Sequence, residues 1–134
     1  MITREADYAV RIVARLTCET GRTLLSSTVL AMETDVPYRF LRKIVRRLVA
    51  SGIVLSARGR DGGLRLARKA AKISLLDAIC AIDQKGAYLN LCLRDNSACD
   101  RRPACRAHRQ FHRIQTALAR ELAGVTFDEL GQRP

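Results

Sequence analysis

The chain opens with apolar residues at helical spacing. Between about Thr3 and Cys18 they recur three and four residues apart, at Tyr8, Ala9, Ile12, Val13 and Leu16. This spacing predicts one amphipathic helix with Thr3 as its N-cap. The segment "TGRTLLSS" then breaks the pattern, and Ser26 or Ser27 can cap a short second helix that ends at "ETDV".

The third segment, "PYRFLRKIVRRLVASG", separates apolar from basic positions. Pro37 suits the first turn of a helix because its fixed φ is helical, and Gly52 is suited to end that helix. One face is apolar, with Phe40, Leu41, Ile44, Val45, Leu48 and Val49. The other face is basic, with Arg39, Arg42, Lys43, Arg46 and Arg47. No acidic residue stands between these bases, so their mutual repulsion is uncompensated until an anion binds.

The next segment, "IVLSARGRDGGLRLAR", predicts a β-hairpin. Arg58 and Arg60 lie at its tip beside Gly59, Gly62 and Gly63, which permit a tight turn and the close approach of another backbone. Two short helices, a basic third helix and a basic hairpin, in that order, predict a winged helix-turn-helix. In this module the second helix of the turn enters the major groove of DNA.

The basic residues can be given separate roles on DNA. Arg39 and Arg42, near the start of the third helix, are predicted to read base edges. The later bases of the same helix are predicted to contact phosphates: Lys43, Arg46 and Arg47. Arg58 and Arg60 of the hairpin extend this predicted DNA-binding surface.

The rest of the chain is predicted to be helical on both sides of a cysteine-rich loop. Ser74 and Asp77 mark the start of one helix, and a longer helix covers about residues 104–123. The longer helix has a single apolar seam, which predicts pairing with a second copy, through Phe111, Ile114, Leu118 and Leu122. The predicted fold is therefore mostly α with a small β-hairpin. It comprises a winged helix-turn-helix DNA-binding domain (1–83), then the cysteine-rich loop and a C-terminal dimerisation helix (84–134).

Composition supports a nucleic-acid partner. The 134 residues suffice for one domain, or one small domain with an appendage, and 24 Lys and Arg against 13 Asp and Glu give a net charge of +11. No stretch approaches the roughly 18 apolar residues of a membrane span, and the N-terminus has no apolar signal region, so we expect a cytoplasmic protein. Five cysteines, an odd number, disfavour a disulfide framework. Cys18 and Cys80 are predicted to be small core residues.

The other three cysteines lie in "CLRDNSACDRRPACRAH" (residues 92–108). Six residues separate Cys92 from Cys99, five separate Cys99 from Cys105, and two separate Cys105 from His108. Three thiolates and an imidazole form a known ligand set for zinc. They also suit an iron–sulfur cluster, which is larger than a single ion and can be held by more widely spaced thiols. Metal-free thiols are the third alternative. A nucleophile–base pair of Cys105 and His108 is a fourth. Nothing else in the sequence resembles a substrate pocket, so we predict that the chain is not an enzyme.

Several of these segments together resemble a known family. "DYAVRIVARL", "PYRFLRKIVRRLVASGIVLSARGRDGGLRLAR", "ISLLDAI" and the three spaced cysteines are similar to the bacterial winged-helix regulators that include IscR, NsrR and RirA, over about residues 2–130. The resemblance implies a homodimer that binds a palindromic operator, with an iron–sulfur cluster on Cys92, Cys99 and Cys105 of each subunit. It also implies that Arg58 lies at the minor groove.

The resemblance leaves two candidates for the fourth cluster ligand. IscR-like members use a histidine three residues beyond the last cysteine, which His108 matches, and hold a 2Fe-2S cluster. NsrR-like members use an aspartate near the start of the first helix of the partner subunit, which Asp7 matches, and hold a 4Fe-4S cluster. The six-residue first gap departs from both types, but "DYAVR" is more similar to NsrR, which favours Asp7 and 4Fe-4S.

The predicted function is a transcriptional regulator, with repression as its expected action, whose operator affinity is switched by an iron–sulfur cluster that senses nitric oxide, redox state or iron supply. The alternative function is a DNA-binding protein with a structural zinc ion, or with a metal-free thiol-based redox switch, at the same cysteines.

Overall fold

The structure is a computed structural model that describes residues 2–131, and it confirms the predicted mostly α fold with one β-hairpin. The first five elements are α1 (Arg4–Thr17), α2 (Ser27–Thr34), α3 (Tyr38–Ala50), β1 (Val54–Ala57) and β2 (Gly63–Leu66). A 3-10 turn (Ala70–Lys72), α4 (Leu75–Ile82), α5 (Leu91–Arg94), a second 3-10 turn (Arg102–Ala104), α6 (Arg106–Gly124) and α7 (Phe127–Gly131) follow.

Local side-chain caps define where the first helices begin. The hydroxyl of Thr3 accepts a hydrogen bond from the backbone N–H of Ala6 at 3.2 Å, and Ser26 caps α2 in the same way, as the sequence predicted. Pro37 was expected inside the first turn of α3. It lies instead at the N-cap, because its ψ of 132° is extended, and the helix begins one residue later at Tyr38.

The end of α3 is fixed by a glycine. Gly52 has a φ of 73°, a left-handed conformation that suits glycine. It lies just beyond the C-cap residue Ser51, so the predicted stop holds to within one residue. The N–H of Gly52 bonds to the carbonyl of Val49, and the N–H of Ile53 bonds to that of Leu48, each at 3.0 Å. This Schellman motif turns the chain from α3 directly into the hairpin.

The hairpin forms the wing. Its antiparallel register pairs Val54 with Leu66 and Ala57 with Gly63. At the tip, a Cβ on Gly62 would lie 2.3 Å from the carbonyl oxygen of Ala57, so only glycine fits this turn. A further bridge between Leu25 and Leu64 attaches the wing to the segment before α2.

A single apolar core joins the first four helices and the wing, and the C-terminal helix α7 returns to it. Phe127 is fully buried in that core, and its N–H bonds to the carbonyl of Ile73 at 3.0 Å. The N–H of Leu75 bonds in turn to Val125 at 2.9 Å. The division of the chain into domains 1–83 and 84–134 stays a prediction. Residue 1 of the first predicted domain and residues 132–134 of the second lie outside the described residues.

The long helix α6 is covered on one side only. None of its residues is fully buried, and Phe111 and Ile114 are 38% and 49% exposed. Leu122, in contrast, packs against the core. Within residues 2–131 no helix is long and apolar enough to cross a membrane.

One prediction about the remaining cysteines is wrong. Cys18 is exposed, because it is the C-cap residue of α1 and lies beyond Leu16, the last buried position of that helix. Cys80 is partly buried on α4, where burial raises the pKa of its thiol.

Candidate DNA-binding surface and cysteine site

The helix α3 is amphipathic as its sequence predicts. Leu41, Ile44 and Leu48 are buried, while Val49 remains 38% exposed although it belongs to the predicted apolar stripe. The five bases are all exposed: Arg39, Arg42, Lys43, Arg46 and Arg47. The surroundings of four of them define two groups, and Arg39 belongs to neither group.

The first group faces the wing. Arg42, Arg46 and Arg58 line one groove of about 420 Å³. Ser27, at the start of α2, and Ser56, on β1, line the same groove, although the sequence did not predict either as a DNA contact. Guanidinium and hydroxyl groups supply hydrogen-bond donors, which suits the acceptor oxygens of phosphates and base edges.

The second group is paired with an acid. The Nζ of Lys43 lies 2.8 Å from a carboxylate oxygen of Glu5 on α1, and a guanidinium nitrogen of Arg47 lies 3.6 Å from the other oxygen. Arg47 also donates a hydrogen bond to the carbonyl of Ile82 at 2.9 Å. The expectation that no acid compensates the bases of α3 is therefore wrong for these two. Glu5 is 38 residues from Lys43, so the charge pattern along α3 could not reveal it.

The other predicted DNA contacts are not neutralised. Among residues 2–131, the five cations without an ion-pair partner on this surface are Arg39, Arg42, Arg46, Arg58 and Arg60. The guanidinium of Arg39 lies 4.8 Å from the centre of the Phe40 ring, a cation–π distance. Arg58 and Arg60 are exposed at the tip of the wing.

The structure brings two of the three predicted cysteine ligands into contact with His108, one through its backbone N–H and one through its imidazole. Cys105 is the N-cap of α6, and its Sγ accepts a hydrogen bond from the backbone N–H of His108 at 3.4 Å. The Nδ1 atom of His108 lies 3.5 Å from the Sγ of Cys92, which α5 carries. Cys99 lies in the intervening loop, and all three thiols are partly buried.

An arginine touches the same imidazole. The Nε–H of Arg102 donates a hydrogen bond to Nε2 of His108 at 3.3 Å. Arg102 belongs to the 3-10 turn before α6, six residues from His108, so both ring nitrogens of His108 have a neighbour.

The contacts of Asp7 are with residues at the start of α1 and not with the cysteines. Its carboxylate is about half exposed in the first turn of α1 and pairs with Arg11 at 2.8 Å. A position at the surface is what donation to another subunit requires.

The donor chemistry of the cysteine site fits a soft metal group. Thiolates and imidazole bind both zinc and iron–sulfur clusters. Within residues 2–131, no three Cys, His, Asp or Glu side chains meet as closely as the ligands of one metal ion.

Comparisons with known proteins agree with this architecture. A family model described as "Rrf2: Iron-dependent Transcriptional regulator" matches residues 2–133. The HTH-type transcriptional repressor NsrR of Streptomyces coelicolor is 30% identical over 134 residues, which cover 99% of this chain and 89% of that protein. The oxidized form of Staphylococcus aureus CymR has a similar fold, with a TM-score of 0.77 and 22% identity over 100% of this chain and 98% of that one. The T. potens IscR structure has a TM-score of 0.76 at 19% identity, over 97% and 85% of the two chains.

Proposed function

This chain belongs to the Rrf2 family of transcriptional regulators, and on that premise we propose that it is a homodimeric repressor whose operator affinity is set by an iron–sulfur cluster. Membership confirms the resemblance predicted from the sequence. It also confirms that the chain is a DNA-binding regulator and not an enzyme.

The groove between α3 and the wing supports a DNA-binding role for particular residues. Arg42 and Arg46 from the helix and Arg58 from the wing face one space, so a duplex seated there meets both elements at once. We assign base reading to Arg39 and Arg42, and phosphate contact to Arg46.

Two contacts at the start of α6 carry the cluster proposal: the Sγ of Cys92 lies beside the imidazole of His108, and the Sγ of Cys105 accepts from the backbone N–H of His108. Cys92, Cys99 and Cys105 are the proposed thiolate ligands. Asp7 of the partner subunit completes a 4Fe-4S site, while His108 in that role corresponds to the 2Fe-2S alternative. When bound, such a cluster supplies reactivity towards oxidants and nitric oxide.

The exposed apolar side of α6 supports the homodimer. Phe111 and Ile114 expose apolar surface on one side of α6, and the proposed seam continues through Leu118. Leu122, the fourth residue predicted for the seam, packs against the core of its own subunit. A dimer with two-fold symmetry suits a palindromic operator. The repressor named NsrR is the basis for proposing repression, and we expect the protein to act in the cytoplasm.

A thiol-based switch is the second candidate. The contact of 3.5 Å between Cys92 and His108 needs no metal, and an imidazole beside a thiol is an arrangement that activates it. A structural zinc ion on the same donors is the other form of this alternative.

One measurement separates these candidates. The full-length protein is purified without oxygen, its absorption spectrum is recorded, and iron, sulfide and zinc are counted by native mass spectrometry. A brown protein with thiolate-to-iron bands and bound sulfide is the expected result. A colourless protein with zinc, or one without metal, overturns the cluster proposal in favour of the corresponding alternative.

A further inference from the structure

We infer that Arg102 holds His108 as a hydrogen-bond donor to Cys92 and so keeps this imidazole out of the set of cluster ligands. The inference rests on the proposed function, because it concerns the site at which the cluster would bind. It assigns a positioning role to Arg102, which neither the spacing of the cysteines nor the family resemblance indicates.

The hydrogen bond from Arg102 fixes which nitrogen of His108 carries the proton. A guanidinium has only donors and is not deprotonated in proteins, so Nε2 of His108 must accept at 3.3 Å. An imidazole nitrogen that accepts carries no proton, and the proton of the ring is therefore on Nδ1. That nitrogen faces the Sγ of Cys92 at 3.5 Å, so the ring donates an N–H···S hydrogen bond to this thiol.

Ligation by His108 requires the opposite arrangement. A histidine that binds a metal through one nitrogen keeps its proton on the other, and that N–H almost always meets a carboxylate, a carbonyl or water. If Nδ1 were the ligand, Nε2–H would face the N–H of Arg102, and two donors would oppose each other. If Nε2 were the ligand, Arg102 would have to leave. In the described part of the chain, the ring nitrogens form hydrogen bonds only with Arg102 and Cys92.

This arrangement gives His108 a defined part in the site. Hydrogen bonds to the sulfurs of a cluster are among the factors that set its reduction potential. A bond from His108 to the Cys92 thiolate withdraws charge from the sulfur and makes reduction easier. The fourth ligand then comes from elsewhere, which favours Asp7 of the partner subunit.

The first test needs no cluster. Long-range ¹H–¹⁵N NMR of the reduced, metal-free full-length protein, recorded where His108 is neutral, reports the tautomer of its ring. We expect the Nδ1–H form in the wild type and a shift towards Nε2–H in Arg102→Met. Arg101→Met removes the same charge from the exposed neighbouring position and should leave the tautomer unchanged. An Nε2–H form in the wild type, or equal effects of the two substitutions, would overturn the role of Arg102.

The second test uses the protein loaded with its cluster and labelled with ¹⁵N-histidine. Pulsed EPR of the reduced cluster should detect no nitrogen coupling of the size given by a bound imidazole. His108→Phe should retain cluster at close to the wild-type content and lower its reduction potential, with circular dichroism to verify folding. A strongly coupled nitrogen in the wild type, or loss of the cluster from a folded His108→Phe protein, would overturn the inference. If the wild type holds no cluster at all, the proposed function fails, while the NMR result still decides whether Arg102 orients His108.

Discussion

Arg42 and Lys43 are adjacent on α3, yet their side chains have different surroundings. Arg42 lines the groove beside the wing, whereas Lys43 is paired with Glu5 of α1 at 2.8 Å. A cation on the side of α3 that faces the wing can reach base edges when α3, the recognition helix, enters the major groove of DNA. A cation held at the edge of that helix is better placed for a phosphate, which has to compete with Glu5.

Alanine substitutions at these two positions should therefore differ in kind. Arg42→Ala should relax specificity at one operator position, at a cost of about 1–3 kcal/mol. Lys43→Ala should weaken binding to all sequences alike and reduce the salt slope by about 1. Binding titrations on operator variants at several salt concentrations, with footprinting, measure both effects. Wild-type behaviour in both variants would show that α3 does not contact DNA in this way.

The ion pair between α1 and α3 should lower the affinity for DNA in general. Glu5→Gln frees Lys43 and Arg47 from a partly exposed pair, which is worth about 0–1 kcal/mol. Non-specific affinity should therefore rise, by up to about fivefold. Glu19→Gln is the matched control, since Glu19 also belongs to an ion pair of α1, with Arg15. Equal effects of the two substitutions would mean that only net charge matters.

At the scale of single residues, the sequence predicts contacts between residues that are close together along the chain. Thr3 caps α1, and Ser74 forms a capping box with Asp77, because each interaction spans three residues and follows from residue type and spacing. The contacts that set the surroundings of the functional side chains span the fold. The pairing of Glu5 with Lys43 depends on how α1 packs against α3, which no local pattern encodes.

The short helix α7 shows the same limit for a whole element. The segment "TFDEL" predicts only a final short turn. Phe127 nevertheless fills the core because Ile73 and Thr126 hold this end of the chain against the start of α4. The hairpin, in contrast, could be predicted, since alternating apolar residues and a glycine-rich tip specify it within one short segment.

Removing the aromatic ring of Phe127 should be strongly destabilising. Phe127→Ala is expected to reduce the free energy of unfolding by about 3–5 kcal/mol, because a large buried side chain leaves a cavity. Leu130→Ala, in the same helix but 46% exposed, should cost far less. Denaturant titrations at one protein concentration compare the two. Similar midpoints would mean that α7 does not contribute to the core in solution.

The apolar side of α6 should determine the oligomeric state. Leu118→Asp places a charge in the proposed seam of both subunits, and burying a leucine is worth about 1.5–3 kcal/mol in each. We expect a monomer that binds the operator poorly. Arg113→Asp introduces the same acid on the opposite side of the helix and should remain a dimer. Sedimentation measures the oligomeric state of both variants. A Leu118→Asp protein that remains a dimer with normal operator affinity would exclude this seam as the dimer interface.

At the scale of the whole molecule, the start of α1 carries both the proposed ligand for the partner's cluster and an acid that pairs with the recognition helix α3. Asp7, the proposed ligand from the partner, is two residues from Glu5, which pairs with Lys43 and Arg47 on α3. A movement of the start of α1 therefore reaches the DNA-binding surface through direct contacts. The two recognition helices of a dimer must lie one helical turn of DNA apart, or a multiple of it, so a small rotation misaligns one of them.

Loss of the cluster should therefore change operator affinity. Coupling free energies between sites are typically about 1–3 kcal/mol, which corresponds to roughly 5- to 150-fold. Linkage is reciprocal, so operator DNA should protect the cluster to the same thermodynamic extent. Asp7→Ala should loosen the cluster and reproduce the affinity of the cluster-free protein, whereas His108→Ala should change affinity little. Operator titrations and absorption spectra of the wild type and both variants, before and after exposure to nitric oxide, measure this coupling. Equal affinity of the cluster-loaded and cluster-free wild type would eliminate the switch, and a larger effect of His108→Ala than of Asp7→Ala would transfer the fourth-ligand role to His108.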